Sequence, residues 1–265
     1  AGGLYPGSAN FDREAVVYYP YDVASANLRL DEIGLTDTDG DGIGDACDTP
    51  NGPPTNKNQC KKNGWKSLTD EDGTPVTDLD EAHDEPPLHL ILVRRDLTGY
   101  RHLHPTRRGD GFAVSVTLPE AGAWRAYADF ELNGEKTVLG RDLIVPGDFE
   151  PRPLPAPTTA ATVEGYAVEL TTRDLRAGAE ARVEFAIARG GQPVTPEPYL
   201  GAAGHLVAIR EDDLAYLHVH PLEGSRDGTI AFDAELAEPG RYALFLQFRD
   251  EGRVRTVTFT IEVQG

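Results

Sequence analysis

Short runs of alternating apolar and polar residues fill the second half of the chain. Residues spaced two apart on a strand face the same side, so this alternation is typical of β-structure. Gly, Pro and Asp separate one run from the next. No segment shows the period of an amphipathic helix. Strands are predicted at Val168–Thr171, Arg182–Ala188, His205–Arg210, Tyr216–His220, Thr229–Ala234, Gly240–Arg249 and Arg253–Val263.

The sequence also contains an internal repeat. The run from His89 to Pro105 matches the run from His205 to Pro221 without a gap, at a constant offset of 116 residues. Flanking segments on both sides match at an offset of 118. Two homologous modules are therefore expected. Seven or so short strands per module predict an all-β fold of two tandem immunoglobulin-like antiparallel β-sandwiches, with closed barrels as the alternative.

Proline and charge divide the chain into four parts. Residues 1–72 form an acidic N-terminal region that is predicted to be irregular, and the first module spans 73–147. A proline-rich linker at 148–160 favours extended chain, and the second module spans 161–265. The first module lacks upstream strands that the second has. Either Ala15–Tyr19 and Ala26–Leu30 supply them, or another chain does so by β-augmentation.

The overall charge limits the partners. The chain has 44 acidic and 25 basic residues, a net charge of -19, which repels phosphate and attracts cations. We therefore expect no nucleic-acid partner, and no apolar run is long enough to predict a membrane span. The chain begins at Ala1 and has no methionine and no signal-like stretch, which predicts a secreted protein after signal-peptide removal. In an oxidising compartment Cys47 and Cys60 are expected to form a disulfide.

Histidines are concentrated in the repeat. Six of the seven follow the pattern His-x12-His-x-His-Pro, and only His83 lies outside it. His102 and His104 are two apart and share one face of a strand. A hairpin turn centred between residues 96 and 97 places His89 directly opposite His104, with Cβ atoms about 5 Å apart. The second copy predicts the same arrangement for His205, His218 and His220.

Three neutral imidazoles suit Zn²⁺ or Cu²⁺, with a fourth position left to water, a carboxylate or another subunit. The competing interpretation is that duplication copied ordinary surface or core histidines. Whether the two triads act separately or meet at one interface stays open. Tyr100 and Tyr216, two residues before each His-x-His, are expected to be packing residues, and Arg94, Arg95 and Arg210 to be solvated charges at the turns.

A second candidate site lies in the acidic region. Acidic residues occupy positions 1, 3, 5, 9 and 12 of residues 37–48, with a glycine at position 6. This spacing supplies oxygens to calcium, and the alternative is an acidic solvated loop. The predicted ligands are Asp37, Asp39, Asp41, the backbone carbonyl of Ile43, Asp45 and Asp48. The run also resembles a thrombospondin type 3 repeat, including a cysteine beside its last aspartate.

Residues 88–263 resemble a family of exported bacterial proteins, common in actinobacteria, with tandem β-sandwich modules. The motif "HLVxxRxDLxxxxHxHP" carries the resemblance through Gly204–Arg210 and Leu214–Pro221, together with Leu139–Leu143. Family members are described as secreted or heavy-metal-associated, and some relatives are linked to copper handling. The resemblance implies a location outside the cell or on the bacterial cell surface.

Enzyme signatures are absent from the sequence. It contains no Gly-x-Ser-x-Gly elbow, no P-loop, no dinucleotide fingerprint and no His-Glu-x-x-His. The leading hypothesis is a secreted, non-enzymatic metal-binding protein with Cu²⁺ or Zn²⁺ at the histidine triads and Ca²⁺ at the aspartate loop. The alternative is a structural subunit of a cell-surface assembly or filament, with metal-stabilised, strand-exchanged contacts between its copies.

Overall fold

The computed structural model describes residues 68–69, 75–76, 78–80, 85–108, 111–118, 120–222 and 228–265. These residues form strands, turns and irregular segments, with no helix among them. The strands are β1 (Leu68–Thr69), β2 (Pro75–Val76), β3 (Leu88–Arg94), β4 (Tyr100–Leu103), β5 (Thr106–Arg108), β6 (Gly111–Ala113), β7 (Gly122–Leu132), β8 (Glu135–Val145), β9 (Ala160–Val163), β10 (Tyr166–Leu170), β11 (Glu180–Arg189), β12 (Gln192–Pro193), β13 (His205–Arg210), β14 (Tyr216–His218), β15 (His220–Pro221), β16 (Thr229–Glu235), β17 (Gly240–Asp250) and β18 (Arg253–Val263).

Three antiparallel sheets carry most of these strands. Sheet 1 has the order β4-β3-β7-β8, and sheet 2 has the order β14-β13-β17-β18. Sheet 3 has the order β15-β16-β11-β10-β9, with β12 paired to β11. The short pairs β1–β2 and β5–β6 stand apart. Sheets 1 and 2 are built from equivalent strands of the two repeats, as the internal match predicts.

Tight turns join the long hairpins of sheets 1 and 2. Asn133 and Gly134 connect β7 to β8, both with positive φ (55° and 80°). Glu251 and Gly252 connect β17 to β18 in the same way, at 51° and 69°. Two consecutive positive φ values give a turn whose twist matches that of the flanking strands. These turns set the register of two hairpins, each built from two strands of eleven residues.

The second module is a two-layer sandwich of sheets 2 and 3. Leu206 and Leu244 of sheet 2 belong to the same buried cluster as Val183 and Phe232 of sheet 3. This confirms the all-β, immunoglobulin-like prediction. β9 begins at Ala160, the last residue of the predicted linker, and residues 146–159 contain no strand.

The first module is built differently. One face of sheet 1 is covered by two small clusters, one around Trp124 with the strandless residues Val116 and Leu118 and the other around Phe112 and Phe130. Among the described residues this module has no counterpart of sheet 3. The stretches 15–19 and 26–30, which are predicted to complete it, lie outside the described residues.

Sheets 1 and 2 pack against each other through their second faces. In β3, Leu90 and Leu92 point into the first module, whereas Ile91 and Val93 join a cluster shared with the second module. This shared cluster is the docking interface. It contains Ile91, Val93, Leu97, Tyr127, Leu154, Val207, Ile209, Leu214, Ala243 and Phe245, with Tyr100 and Tyr216 packed against it. Both faces of the central strands β3 and β17 are thus largely buried.

The predicted strand Tyr216–His220 is divided between two sheets. β14 pairs with β13 in sheet 2, and β15 pairs with β16 in sheet 3. The chain crosses at Val219, which is buried in the sandwich core. His218 and His220 therefore lie in different sheets, in place of the single strand that the alternation predicts. No helix in the described part of the chain is long and apolar enough to span a membrane.

Candidate metal site at the module interface

The β3–β4 hairpin positions the first histidine triad. Its register pairs Ile91 with His102 and Val93 with Tyr100, which is the register predicted from a turn centred between residues 96 and 97. Continued one residue beyond the end of β4, this register brings His104 across from His89. The equivalent hairpin of sheet 2 pairs Val207 with His218, again as predicted.

His89, His102 and His104 form a compact group on the face of sheet 1 that meets sheet 2. One ring nitrogen from each lies within 4.8 Å of the other two. The ring centroids of His89 and His102 are 5.1 Å apart, those of His89 and His104 are 5.1 Å apart, and those of His102 and His104 are 4.7 Å apart. All three side chains are partly buried.

The orientation of His102 is set by contacts on both sides of its ring. Its Nδ1 lies 2.6 Å from Gln247 Oε1, and Gln247 Nε2 donates to Thr256 Oγ1 at 3.0 Å. With the amide oxygen facing the imidazole, His102 Nδ1 carries the proton and donates. Its Nε2 then presents a lone pair toward His89 Nδ1, 2.9 Å away.

The surroundings favour neutral imidazoles. Burial holds the pKa of His102 well below its usual range, and the neighbouring His89, His104 and His205 lower it further, against the opposing effect of the Gln247 hydrogen bond. Burial also lowers the pKa of His104. Neutral histidine is the form that binds metal ions.

His205, at the start of β13, joins this group from the second module. Its ring centroid lies 5.4 Å from that of His89 and 5.6 Å from that of His102. Tyr199 packs edge-on against it at 5.7 Å. The repeat predicts that His205 belongs to a second triad with His218 and His220, and the sequence leaves open whether the two triads meet. The structure brings His205 to the first triad, at the docking interface.

Aromatic pairs flank the histidines in the docking interface. Tyr100 stacks on Phe245 with centroids 4.2 Å apart, and Tyr216 stacks on Tyr127 at 5.0 Å. The two tyrosines predicted to be packing residues do pack. Tyr216 Oη also donates to Asp129 Oδ2 at 2.7 Å.

Several predicted ligands are not placed by the structure. The side chains of His218 and His220 lie outside what it describes, although their backbones are in β14 and β15. The predicted calcium loop at residues 37–48 lies outside the described residues, and so does the predicted Cys47–Cys60 disulfide. These assignments remain predictions from the sequence.

Gln247 is a site residue that the sequence analysis missed. It stands at an offset of 118 from Asp129, so the two residues occupy equivalent positions in β17 and β7. On the same face of β17, the neighbouring Ala243 and Phe245 are apolar and belong to the docking interface. A polar residue in such a row is the signal that could have identified it.

Comparisons with known proteins give one extensive match. A family described as "Domain of unknown function (DUF8832)" matches residues 58–146 and 161–265, and each stretch contains one copy of the histidine repeat. Among curated proteins, the periplasmic alpha-galactoside-binding protein of Rhizobium meliloti (strain 1021) is 46% identical over 42 residues. That match covers 16% of this chain and 6% of the relative's length.

Solved structures show only distant similarity. A DUF4426 family protein from Pseudomonas aeruginosa PAO1 matches with a TM-score of 0.33 and 13% identity, over 40% of this chain and 97% of its own. The Escherichia coli adhesin FdeC matches with a TM-score of 0.26 and 17% identity, over 74% and 57% of the two chains. Domains 4 and 5 of the S-layer protein SbsC match at 0.25 and 10%, over 75% and 79%.

Proposed function

This chain belongs to the family described as Domain of unknown function (DUF8832), and we propose that it is a secreted, non-enzymatic protein that binds Zn²⁺ or Cu²⁺ at His89, His102 and His104. The grouping of three imidazoles, each with one ring nitrogen within 4.8 Å of the other two, carries this proposal. Imidazole nitrogen is a preferred ligand of both ions. The secreted location rests on the sequence, as does Ca²⁺ binding by residues 37–48.

The spacing of the rings fits a single ion. A metal–nitrogen bond is about 2.0–2.1 Å long and the ring centroid lies roughly 1 Å farther out, so imidazoles on one tetrahedral ion have centroids about 5 Å apart. The triad shows 4.7–5.1 Å. Two nitrogens bound to one tetrahedral ion at these lengths are about 3.3 Å apart, so the 2.9 Å between His89 Nδ1 and His102 Nε2 has to lengthen by a few tenths of an ångström when both bind the ion.

His104 supplies a further observation. Its Nε2 is buried and has no hydrogen-bond partner among the described residues. A buried polar atom without a partner destabilises the folded state by about 1–3 kcal/mol. A metal ion bound at this nitrogen would remove that penalty. The net charge of -19 also attracts cations to the molecule.

Titration of the purified full chain with Zn²⁺ and with Cu²⁺ tests this proposal. We use a chain carrying His218→Ala and His220→Ala, so that the second predicted triad does not contribute; this chain is the single-site background. It is expected to bind one ion, and adding His102→Ala and His104→Ala is expected to lower affinity about 100-fold or more. His83→Ala, outside the repeat, is the matched control and should leave binding unchanged.

Thermal unfolding checks the same point independently. A ligand that binds only the folded state raises its stability, so saturating metal should raise the unfolding midpoint of the single-site background. At the same metal concentration the variant without His102 and His104 should show a much smaller rise. Equal affinity and an equal rise in both chains would refute metal binding by the triad.

A further inference from the structure

The position of His205 points beyond a site contained in one module. We infer that the ion is shared, with His205 of the second module as its fourth imidazole and Gln247 as a positioning residue, so that metal binding clamps the two modules together. This inference rests on the proposed metal function. It replaces two separate triads by a site that neither module completes alone.

Ring spacing supports a fourth imidazole. The His205 centroid is 5.4 Å from that of His89 and 5.6 Å from that of His102. Four imidazoles around one tetrahedral ion require separations of about 5 Å, and the separations within the triad itself are 4.7–5.1 Å. The His205 ring therefore lies only a few tenths of an ångström farther from His89 and His102 than a fourth imidazole on the same ion would.

The backbone holds His205 at this point. It is the first residue of β13 and pairs with Gln247 of β17. The preceding Gly204 lies so close to β17 that an added Cβ would be 2.6 Å from the Gln247 carbonyl oxygen. The strand start is therefore fixed against β17, which limits the freedom of the histidine that follows.

Gln247 provides the second link across the interface. Its side chain is buried, its amide oxygen accepts from His102 Nδ1 at 2.6 Å, and its amide nitrogen donates to Thr256. Outer partners of this kind fix the tautomer and ring orientation of a metal-binding histidine. Here the partner belongs to the opposite module. Metal affinity is thereby linked to docking of the modules through both His205 and Gln247.

The decisive experiment adds His205→Ala to the single-site background and measures Zn²⁺ affinity. Because His218 and His220 are already absent, any loss is due to the shared site and not to the second predicted triad. We expect one ion to bind with affinity lowered at least about 10-fold, since removing even an outer hydrogen-bond partner of a metal ligand costs about 10- to 100-fold. If His205→Ala leaves the Zn²⁺ affinity unchanged, the ion is not shared, but the proposed site at His89, His102 and His104 still stands. If removing His102 and His104 leaves the affinity unchanged, the proposed function itself fails.

Two substitutions at Gln247 separate positioning from packing. Gln247→Leu removes the acceptor and is expected to lower Zn²⁺ affinity about 10-fold or more. Gln247→Glu keeps an oxygen acceptor for His102 and should retain most of the affinity. Equal affinities of both variants and the single-site background would show that Gln247 does not position His102. Far-ultraviolet circular dichroism without metal confirms that each chain compared is folded.

Hydrogen exchange reports on the clamp itself. Zn²⁺ should slow amide exchange in β3 and β4 and also in β13 and β17 of the single-site background. With His205→Ala, slowing should be confined to the strands of sheet 1. If Zn²⁺ slows exchange in sheet 2 equally with and without His205, the site is not shared. This conclusion would hold even if His205→Ala changed the Zn²⁺ affinity.

Discussion

The two halves of the docking interface are equivalent in sequence yet differ in their polar contacts. Tyr100 on Phe245 and Tyr216 on Tyr127 are corresponding pairs, each with a tyrosine of one module on an aromatic ring of the other. At the corresponding polar position the first module has Asp129 and the second has Gln247. Asp129 accepts from Tyr216, whereas Gln247 accepts from His102. Duplication thus preserved the stacking and changed the hydrogen bonding, and the candidate metal site lies where the halves differ.

The hairpin turns of the two halves differ as well. Arg94 and Asp96 form a bidentate pair with side chains 6% and 3% exposed. In the second module Arg210, the counterpart of Arg94, pairs in a bidentate way with Asp213, one residue beyond the counterpart of Asp96, and the two side chains are 19% and 49% exposed. The turn therefore holds a buried ion pair in one module and a more solvated one in the other.

Removing the two aspartates should show the largest difference. Asp96→Ala leaves the Arg94 guanidinium buried without its carboxylate partner, which is expected to lower the free energy of unfolding by about 3–5 kcal/mol. Asp213→Ala, the matched control, should lower it by less than about 1 kcal/mol because the exposed pair is screened by water. Urea unfolding of the metal-free proteins measures both. Equal losses would show that burial does not distinguish the turns.

The tyrosine hydroxyls should show a smaller difference. Tyr216→Phe removes a hydrogen bond to the buried carboxylate of Asp129 and is expected to lower the free energy of unfolding by about 1.5–3 kcal/mol. Tyr100→Phe removes a buried hydroxyl that has no hydrogen-bond partner among the described residues, so stability should be unchanged or slightly higher. Urea unfolding of the metal-free proteins measures the change in free energy of unfolding for both variants. A larger loss for Tyr100→Phe than for Tyr216→Phe would contradict the assigned contacts.

Acid should produce the smallest effect. Burial raises the pKa of Asp96, but hydrogen bonds from Arg94, the Arg152 backbone and Thr98 outweigh this effect, and the pKa lies below its usual value of 3.8. A carboxyl with a lowered folded-state pKa contributes stability above the unfolded value, and that stability is lost as the pH falls through the folded value. The difference in free energy of unfolding between the natural chain and Asp96→Ala should therefore be constant near pH 6 and should become smaller below about pH 4. A difference in free energy of unfolding that grows in acid would contradict the lowered pKa of Asp96.

Local features of the fold could be predicted from the sequence. The alternation of apolar and polar residues and the position of the turn determine the β3–β4 register. Both features depend only on residues that are close in sequence. The register then places His89, His102 and His104 together. The continuous apolar run Leu90–Val93 indicates burial on both faces of β3, but it does not identify the element that packs on the second face.

Contacts between distant segments could not be predicted in this way. Arg94 is expected to be solvated at a turn, but it is buried. The backbone N–H of Arg152 donates to Oδ2 of its partner Asp96 at 3.0 Å, and the ring of Phe149 lies against the Arg94 guanidinium. His205 is near His102 only because the two sheets dock. Nothing in the local pattern around these residues specifies that docking. The sheet crossing at Val219 is likewise decided by core packing.

The proline-rich segment between β8 and β9 has a consequence for how the interface forms. Leu154 is buried in the docking interface, and Arg241 donates to the carbonyl oxygens of Leu154 and Pro155 at 2.7 and 2.5 Å. The segment is thus a short tether that keeps each half within reach of the other, at an effective concentration on the order of millimolar. Two such surfaces on separate molecules would come apart on dilution. Joined in one chain, they meet at the same rate in a dilute environment as in a crowded one.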